Sequence, residues 1–249
     1  MRKATLTILL VAGLGALGVL ALYVLETFRE KGGQISLKPR EKAGLRSKTM
    51  DTLVHGSGDA ALRWSSDYAD EILEVDAGRA TKVKRTWVSF EEGAKGPPKP
   101  MPLQDVTDID ASGAKDGQGL AWKKVAVTWP DPFPALLPAQ PVYHSGGWTS
   151  PATAAAAVAS FLAREPAGAA TAESKLEPEM SRDGIRCHRI RVALKATFEG
   201  GRKLEAWGDL YFDRQARLLI DMDWMGTIGS EESGERRIVF TRVRQYTKP

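Results

Sequence analysis

Hydrophobic and polar residues alternate with a period of two through most of the C-terminal half of the chain, the pattern of strands with one buried face. Ile190, Val192, Leu194, Ala196 and Phe198 fall on one face, with Arg191, Lys195 and Thr197 opposite. Ile185 and Cys187 are in the other phase, so a bulge near His188-Arg189 is expected to bring them to the apolar face. Gly200-Gly201 supplies a hairpin turn, and Leu204, Ala206, Leu210 and Phe212 mark the return strand. Beyond a polar turn from Asp213 to Arg217, Leu218, Ile220, Met222 and Trp224 alternate with Asp221 and Asp223. Ile238 to Tyr246 closes a four-stranded meander, and residues 169–177 read as a strand leading into it.

Ahead of the meander the period changes. Ser150-Pro151 reads as an N-cap and first-turn pair, and the Ala-rich run to Arg164 as a helix with Val158, Phe161 and Leu162 on its apolar side. Pro166 ends it. The N-terminal half is less regular. Tyr68, Ile72 and Val75 fit helical spacing while Leu73 and Val75 fit a strand, so that segment stays ambiguous. Asp76-Ala77-Gly78-Arg79 is a turn, and Thr81 to Phe90 a strand. Residues 91–102, with Gly93, Gly96, Pro97, Pro98, Pro100 and Pro102, read as an exposed loop. A strand from Leu120 to Trp129 then meets a connector rich in proline, from Pro130 to Pro141. The expected fold class is α+β: a mainly antiparallel, curved sheet with one clear helix, and the option of two lobes at 47–130 and 142–249.

The N-terminus stands apart. Met1-Arg2-Lys3 precedes an uncharged run from Ala4 to Leu25 that Glu26 ends. At 1.5 Å per residue this run spans about 33 Å, close to the roughly 30 Å thickness of a bilayer's hydrocarbon core. A secretory signal is the rival, but its apolar region is usually about 7–15 residues and Val19-Leu20-Ala21 is a poor cleavage site. Tyr23 and Phe28 suit interfacial anchors. Residues 1–28 therefore read as a transmembrane anchor and residues 29–46, polar and basic with Gly32-Gly33 and Pro39, as a linker to a domain at 47–249. Arg2 and Lys3 favour a cytoplasmic N-terminus, whereas Arg29, Lys31, Lys38, Arg40 and Lys42 argue the reverse. The first residues usually dominate, which places 29–249 outside the cytoplasm. Gly13-Leu-Gly15-Ala-Leu-Gly18 matches a dinucleotide-loop pattern, but inside an apolar span it is coincidental; Ala12, Gly15 and Ala16 make a weak helix-packing surface at most.

Composition narrows the chemistry. A chain that is 43% hydrophobic and 27% charged is an ordinary globular one, and its net charge of +4 is spread along its length, against a nucleic-acid footprint. One cysteine forms no internal disulfide, and three histidines leave little for a metal site. No zinc-protease, nucleophile-elbow or phosphate-loop motif is present. Ser112-Gly-Ala-Lys115 matches S-x-x-K without the companion elements that acylating enzymes need. Asp108, Asp110, Ser112, Gly113 and Asp116 resemble the first part of a calcium loop, but Gly119 stands where the closing Glu belongs.

Cys187-His188 reads as core cysteine and neighbour rather than a thiolate-imidazole pair, since adjacent strand residues face apart. His55 and His144 sit beside glycines with no spacing that links them. Asp221 and Asp223, at i and i+2 about 7 Å apart, have a separation compatible with paired catalytic carboxylates, against the simpler reading of solvent-facing acids. Of seven tryptophans, Trp87, Trp122, Trp129, Trp148, Trp207 and Trp224 fall on or beside predicted strands, as core residues or as the lining of an apolar or sugar site.

Two segments carry a resemblance. Tyr68-Ala-Asp-Glu-Ile-Leu-Glu-Val-Asp-Ala-Gly-Arg-Ala-Thr-Lys-Val-Lys-Arg-Thr-Trp87 is similar to a stretch in uncharacterised exported proteins of planctomycete- and myxobacteria-like bacteria. Leu137-Pro-Ala-Gln-Pro-Val-Tyr-His-Ser-Gly-Gly-Trp148 resembles their L-P-x-x-P-V-x-x-G-D-x-W connector, with Gly-Gly-Trp in place of Gly-Asp-x-Trp. The resemblance spans most of 45–245 and implies an exported β-rich domain of unknown function, with no catalytic residue, metal or cofactor to carry over. A curved sheet with one helix is also similar in architecture to bacterial lipoprotein carriers. The expected function is non-enzymatic: a membrane-tethered envelope domain that binds an apolar ligand or a protein partner, and no nucleic acid. An envelope hydrolase using Asp221 and Asp223 is the alternative.

Overall fold

The computed structural model describes residues 33–95, 106–110, 113–115, 131–230 and 234–247. In chain order its elements are β1 (Gln34–Ile35), β2 (Arg46–His55), β3 (Leu62–Asp76), β4 (Arg79–Lys95), β5 (Val106–Asp110), β6 (Gly113–Lys115), β7 (Val142–Tyr143), β8 (Gly147–Thr149), α1 (Ala152–Ala163), β9 (Ala170–Arg182), β10 (Ile185–Thr197), β11 (Lys203–Asp213), β12 (Leu218–Ser230) and β13 (Gly234–Thr247). Eleven strands form one sheet in the order β6-β5-β4-β3-β2-β13-β12-β11-β10-β9-β8, while β1 and β7 pair separately. Nearly all neighbours are consecutive, the economy expected of antiparallel hairpins. The exception is the β13–β2 ladder, which joins the two runs of hairpins from Ile238 opposite His55 to Thr247 opposite Arg46.

The mainly antiparallel α+β character and the meander from Ile185 to Tyr246 are as the alternation predicts. The bulge is displaced. His188 pairs with Glu179 and Ile190 with Leu176, so the extra residue lies in β9 at Glu177-Pro178, while β10 and β11 stay in unbroken register. With no bulge of its own, β10 keeps Cys187 off the Ile190 face, and Cys187 packs with Met180, Tyr211 and Ile220.

The helix packs on β9 and β10, burying Ala155, Val158, Ala159 and Leu162. Its start differs from the expected cap: Pro151 holds the cap position, and the Ser150 hydroxyl donates instead to the Leu136 carbonyl at 3.0 Å. Arg164, left-handed at φ 62°, terminates it.

Three further expectations change. The ambiguous segment around Tyr68 is strand β3, with Tyr68, Asp70 and Ile72 buried and Leu73 exposed. Residues 91–95, read as loop, extend β4. Residues 34–45, read as linker, are packed on the domain: Leu37 is buried, β1 pairs with β7, and Arg40 N–H donates to the Arg217 carbonyl. The 76–79 turn is as expected, with Ala77 and Gly78 both at positive φ, the geometry of a tight hairpin. Gly78 has no alternative there, because a Cβ would lie 2.7 Å from the Pro39 carbonyl oxygen. The predicted membrane span and the Leu120–Trp129 strand fall outside the described residues. Among those residues no helix is long and apolar enough to cross a membrane.

Candidate binding cavity

The β13–β2 register determines what the helix-bearing face of the sheet presents. Directly opposed residues share a face. Phe240, Leu53 and Trp64 form one row across β13, β2 and β3, next to the helix. The next rows are Arg242, Asp51 and Ser66; then Arg244, Thr49, Tyr68 and Trp87; then Tyr246, Ser47, Asp70 and Arg85. Moving along the strands, the same face thus passes from apolar to ionic.

The connector after residue 130 crosses this face. Its 3-10 turn, Phe133–Leu136, inserts the Phe133 ring flat against Phe240 (5.3 Å, 2°) and edge-on to Phe161 (5.3 Å). That aromatic cluster is fully dry at its centre, with Phe133 and Phe240 completely buried. Trp148 donates its indole N–H to the Leu136 carbonyl at 2.8 Å and ties the turn to β8. With the turn so held, Asp131 sits over the ionic rows.

There it completes a chain of buried ion pairs. Arg85 reaches Asp70 with two hydrogen bonds of 2.7 and 2.8 Å and lies 3.7 Å from the centre of the Tyr68 ring. Tyr68 donates to Asp51 at 3.4 Å. Arg242 grips Asp51 with Nε and Nη2 at 2.7 and 2.8 Å, and its Nη1 reaches Asp131 Oδ2 at 2.7 Å. Arg244 donates to that same oxygen at 3.0 Å, and to Thr49 Oγ1 and the Tyr246 hydroxyl. Burial alone would raise the Asp131 carboxyl, but Arg242 and Arg244 together outweigh it and hold the group at about 2. Burial pushes the Tyr246 phenol up to about 12 and raises the Tyr68 phenol too. Glu41, accepting the Ala80 N–H, is likewise raised by burial.

Between this face, the connector and residues 38–41 lies a cavity of about 1780 Å³. Its apolar wall includes Leu53, Trp64, Trp87, Trp148, Phe161 and Phe240. Arg79, donating to the Pro134 carbonyl at 3.0 Å, bridges strand and connector at its edge.

The sequence-level candidates lie elsewhere. Asp221 and Asp223 share one cation, Arg182, at 2.6 and 2.9 Å, and neither lines the cavity. Arg182 in turn lies over Tyr211, so both acids are engaged by one guanidinium; Asp221 is buried, whereas Asp223 keeps the solvent-facing side that the alternation predicts. Cys187 is buried, its thiol pushed up by burial, and donates weakly to the Met180 carbonyl. His188, on the opposite face of β10, has its pKa lowered by burial. His55 bonds the Leu162 carbonyl at 2.7 Å and meets the Trp64 ring edge-on. Asp108, Asp110, Gly113 and Lys115 belong to the β5–β6 hairpin, with Asp110 paired to Gly113; Ser112 and Asp116 fall outside the described residues. No group of three or more potential ligands for a metal occurs among those described. Trp87, Trp148 and Trp224 pack inward as expected; Trp207 is 54% exposed, and Trp122 and Trp129 are not described.

Fold and cavity together define a β-rich α+β domain with a half-open amphipathic cavity. No family model and no curated protein matches the sequence. Among solved structures, the chain is similar to a DUF1329 family protein from Desulfovibrio piger, at 11% identity over 83% of this chain and 87% of that one, with a TM-score of 0.20. So slight a likeness transfers no activity.

Proposed function

We propose that this domain is a non-enzymatic binding module that encloses an apolar ligand, tethered to a membrane by residues 4–25 and held outside the cytoplasm. The cavity carries the reading. Its volume of about 1780 Å³ exceeds the roughly 300–1,000 Å³ of sites for drug-sized molecules and suits a long, flexible chain. Aromatic and aliphatic side chains supply most of the wall, and its Asp51, Asp70 and Asp131 carboxylates are each bound to an arginine, which disfavours their use as a hydrolytic couple. A protein partner in the envelope is the other occupant considered from the sequence, but a deep concave cleft with a mostly apolar lining favours a small ligand over a flat interface.

The test is native mass spectrometry of the purified full-length chain with organic extraction of bound species, run beside Ser66→Trp. Ser66 lines the cavity on β3 and is half-buried, so an indole there fills the site from a strand that accommodates aromatics. A stoichiometric apolar adduct in the wild type that Ser66→Trp loses is the expected result. An adduct of equal stoichiometry in both proteins would assign the ligand to the membrane segment and remove the support for the cavity.

A further inference from the structure

We propose that the cavity selects an amphiphile with a single anionic head, a long-chain carboxylate, whose head group takes the place of Asp131 on Arg242 and Arg244. This rests on the binding reading above and adds the ligand's charge.

The argument begins with where the counter-ions come from. Two of the three buried arginines are neutralised within the sheet by register alone: Asp51 lies directly opposite Arg242, and Asp70 directly opposite Arg85, each pair joined by two hydrogen bonds. Arg244 is different. The residue opposite it is Thr49, and its carboxylate, Asp131, is borne by the connector and belongs to no strand. The strands alone therefore present three guanidiniums against two carboxylates in these rows.

A carboxylate on a separate segment, accepting from two buried guanidiniums through one oxygen, occupies the position an anionic ligand would take. Guanidinium matches carboxylate in shape and charge, so a head group there recovers the same hydrogen bonds. Around it, Thr49 and Tyr246 offer neutral polar atoms already engaged with Arg244, and the neighbouring Glu41 carboxyl is shifted by burial towards its neutral form. The wall as a whole carries six cationic and five acidic side chains, so one added negative charge brings it to balance. The apolar row begins one step along the strands, where half-buried Trp64, with Phe161 of the helix, leaves open apolar surface for an alkyl tail next to the head group. An uncharged chain of equal length gains the tail contacts but leaves Asp131 in place.

The experiment compares dodecanoate with dodecanol by isothermal titration calorimetry, using the full-length chain in lipid nanodiscs with empty nanodiscs subtracted. Wild type is expected to bind the acid at least about tenfold more tightly than the alcohol, because only the acid offsets the excess positive charge of the wall. Asp131→Asn, which removes the internal competitor and retains its shape, is expected to widen that ratio by about another tenfold, and Arg244→Gln to abolish it. Equal binding of acid and alcohol to the wild type overturns the anionic-head inference while leaving the cavity reading intact. Binding of neither overturns both. Should Asp131→Asn lose its cooperative unfolding transition, the acid-to-alcohol ratio of the wild type and of Arg244→Gln decides.

Discussion

Arg242 and Asp51 are 191 positions apart in the sequence and directly opposite one another in the β13–β2 ladder, joined by two hydrogen bonds of 2.7 and 2.8 Å. Arg242 is 4% exposed, so this is a buried pair and its two halves depend on each other. Removing one partner of such a pair leaves an uncompensated charge out of water, whereas replacing both with apolar residues is often neutral.

Asp51→Ala is accordingly expected to destabilise the domain by about 3–5 kcal/mol. The double change Asp51→Leu with Arg242→Met should recover most of that loss. Guanidinium unfolding of the three proteins checks it; a double variant as unstable as Asp51→Ala would show that the pair contributes through Asp131 and not through Asp51.

Asp131 links stability to acid pH. Its native value, about 2, lies below the ordinary 3.8, so its contribution is present in full above about pH 4 and is lost as pH falls towards 2. The gap is worth about 2 kcal/mol. Urea unfolding between pH 5 and 2 should therefore be steeper for the wild type than for Asp131→Asn, and parallel curves would contradict the assignment.

The histidines act in a higher window. His55 and His188 have native pKa values lowered, chiefly by burial, beneath the ordinary 6.5. The unfolded chain thus takes up protons first, and both residues cost stability as pH drops below 6.5 towards their native values. NMR titration of the imidazole signals should find midpoints below 6.5 for both rings, and a midpoint at or above that value for either ring counts against its burial.

Gly208 tests the packing under the indole of Trp224. A Cβ on Gly208 would lie 2.2 Å from Trp224 Cδ2, and Trp224 is itself only 2% exposed, so the ring has nowhere to move. Gly208→Ala is expected to cost about 1–3 kcal/mol or more by overpacking. Adding Trp224→Leu should relieve part of that strain, and thermal unfolding of the single and double variants measures the coupling.

The parts of the fold that were legible in the sequence are those where burial and hydrophobicity coincide. Val192, Leu194, Leu204, Leu210 and Met222 are buried and apolar, so their period of two reads directly as the meander. Strand β2 was not legible for the opposite reason. Its inward positions include Ser47, Thr49 and Asp51, polar residues set opposite Tyr246, Arg244 and Arg242, and such a strand carries no hydrophobic alternation. Residues 34–45 misled similarly: Lys38, Arg40 and Lys42 look like a solvated linker, while buried Leu37 and Pro39 and backbone bonds to Arg217 and Gly78 hold the segment in place. Arg85, Asp131, Arg242 and Arg244 offered no local motif, because each partner is brought to it by strand pairing or by the connector and not by spacing along the chain.

By itself, then, the sequence determined the strand-and-helix vocabulary of the C-terminal half, the 76–79 turn and the lack of familiar catalytic motifs, since these depend on neighbours within a few residues. The tertiary structure alone decided that β2 lies against β13, that Phe133 is stacked on Phe240, and that Asp131 reaches two arginines more than a hundred positions away. The physical reason is that a charge can be buried only where a partner meets it. In this protein the partner is supplied by ladder register and by a connector crossing the sheet, neither of which leaves a periodic trace in the chain.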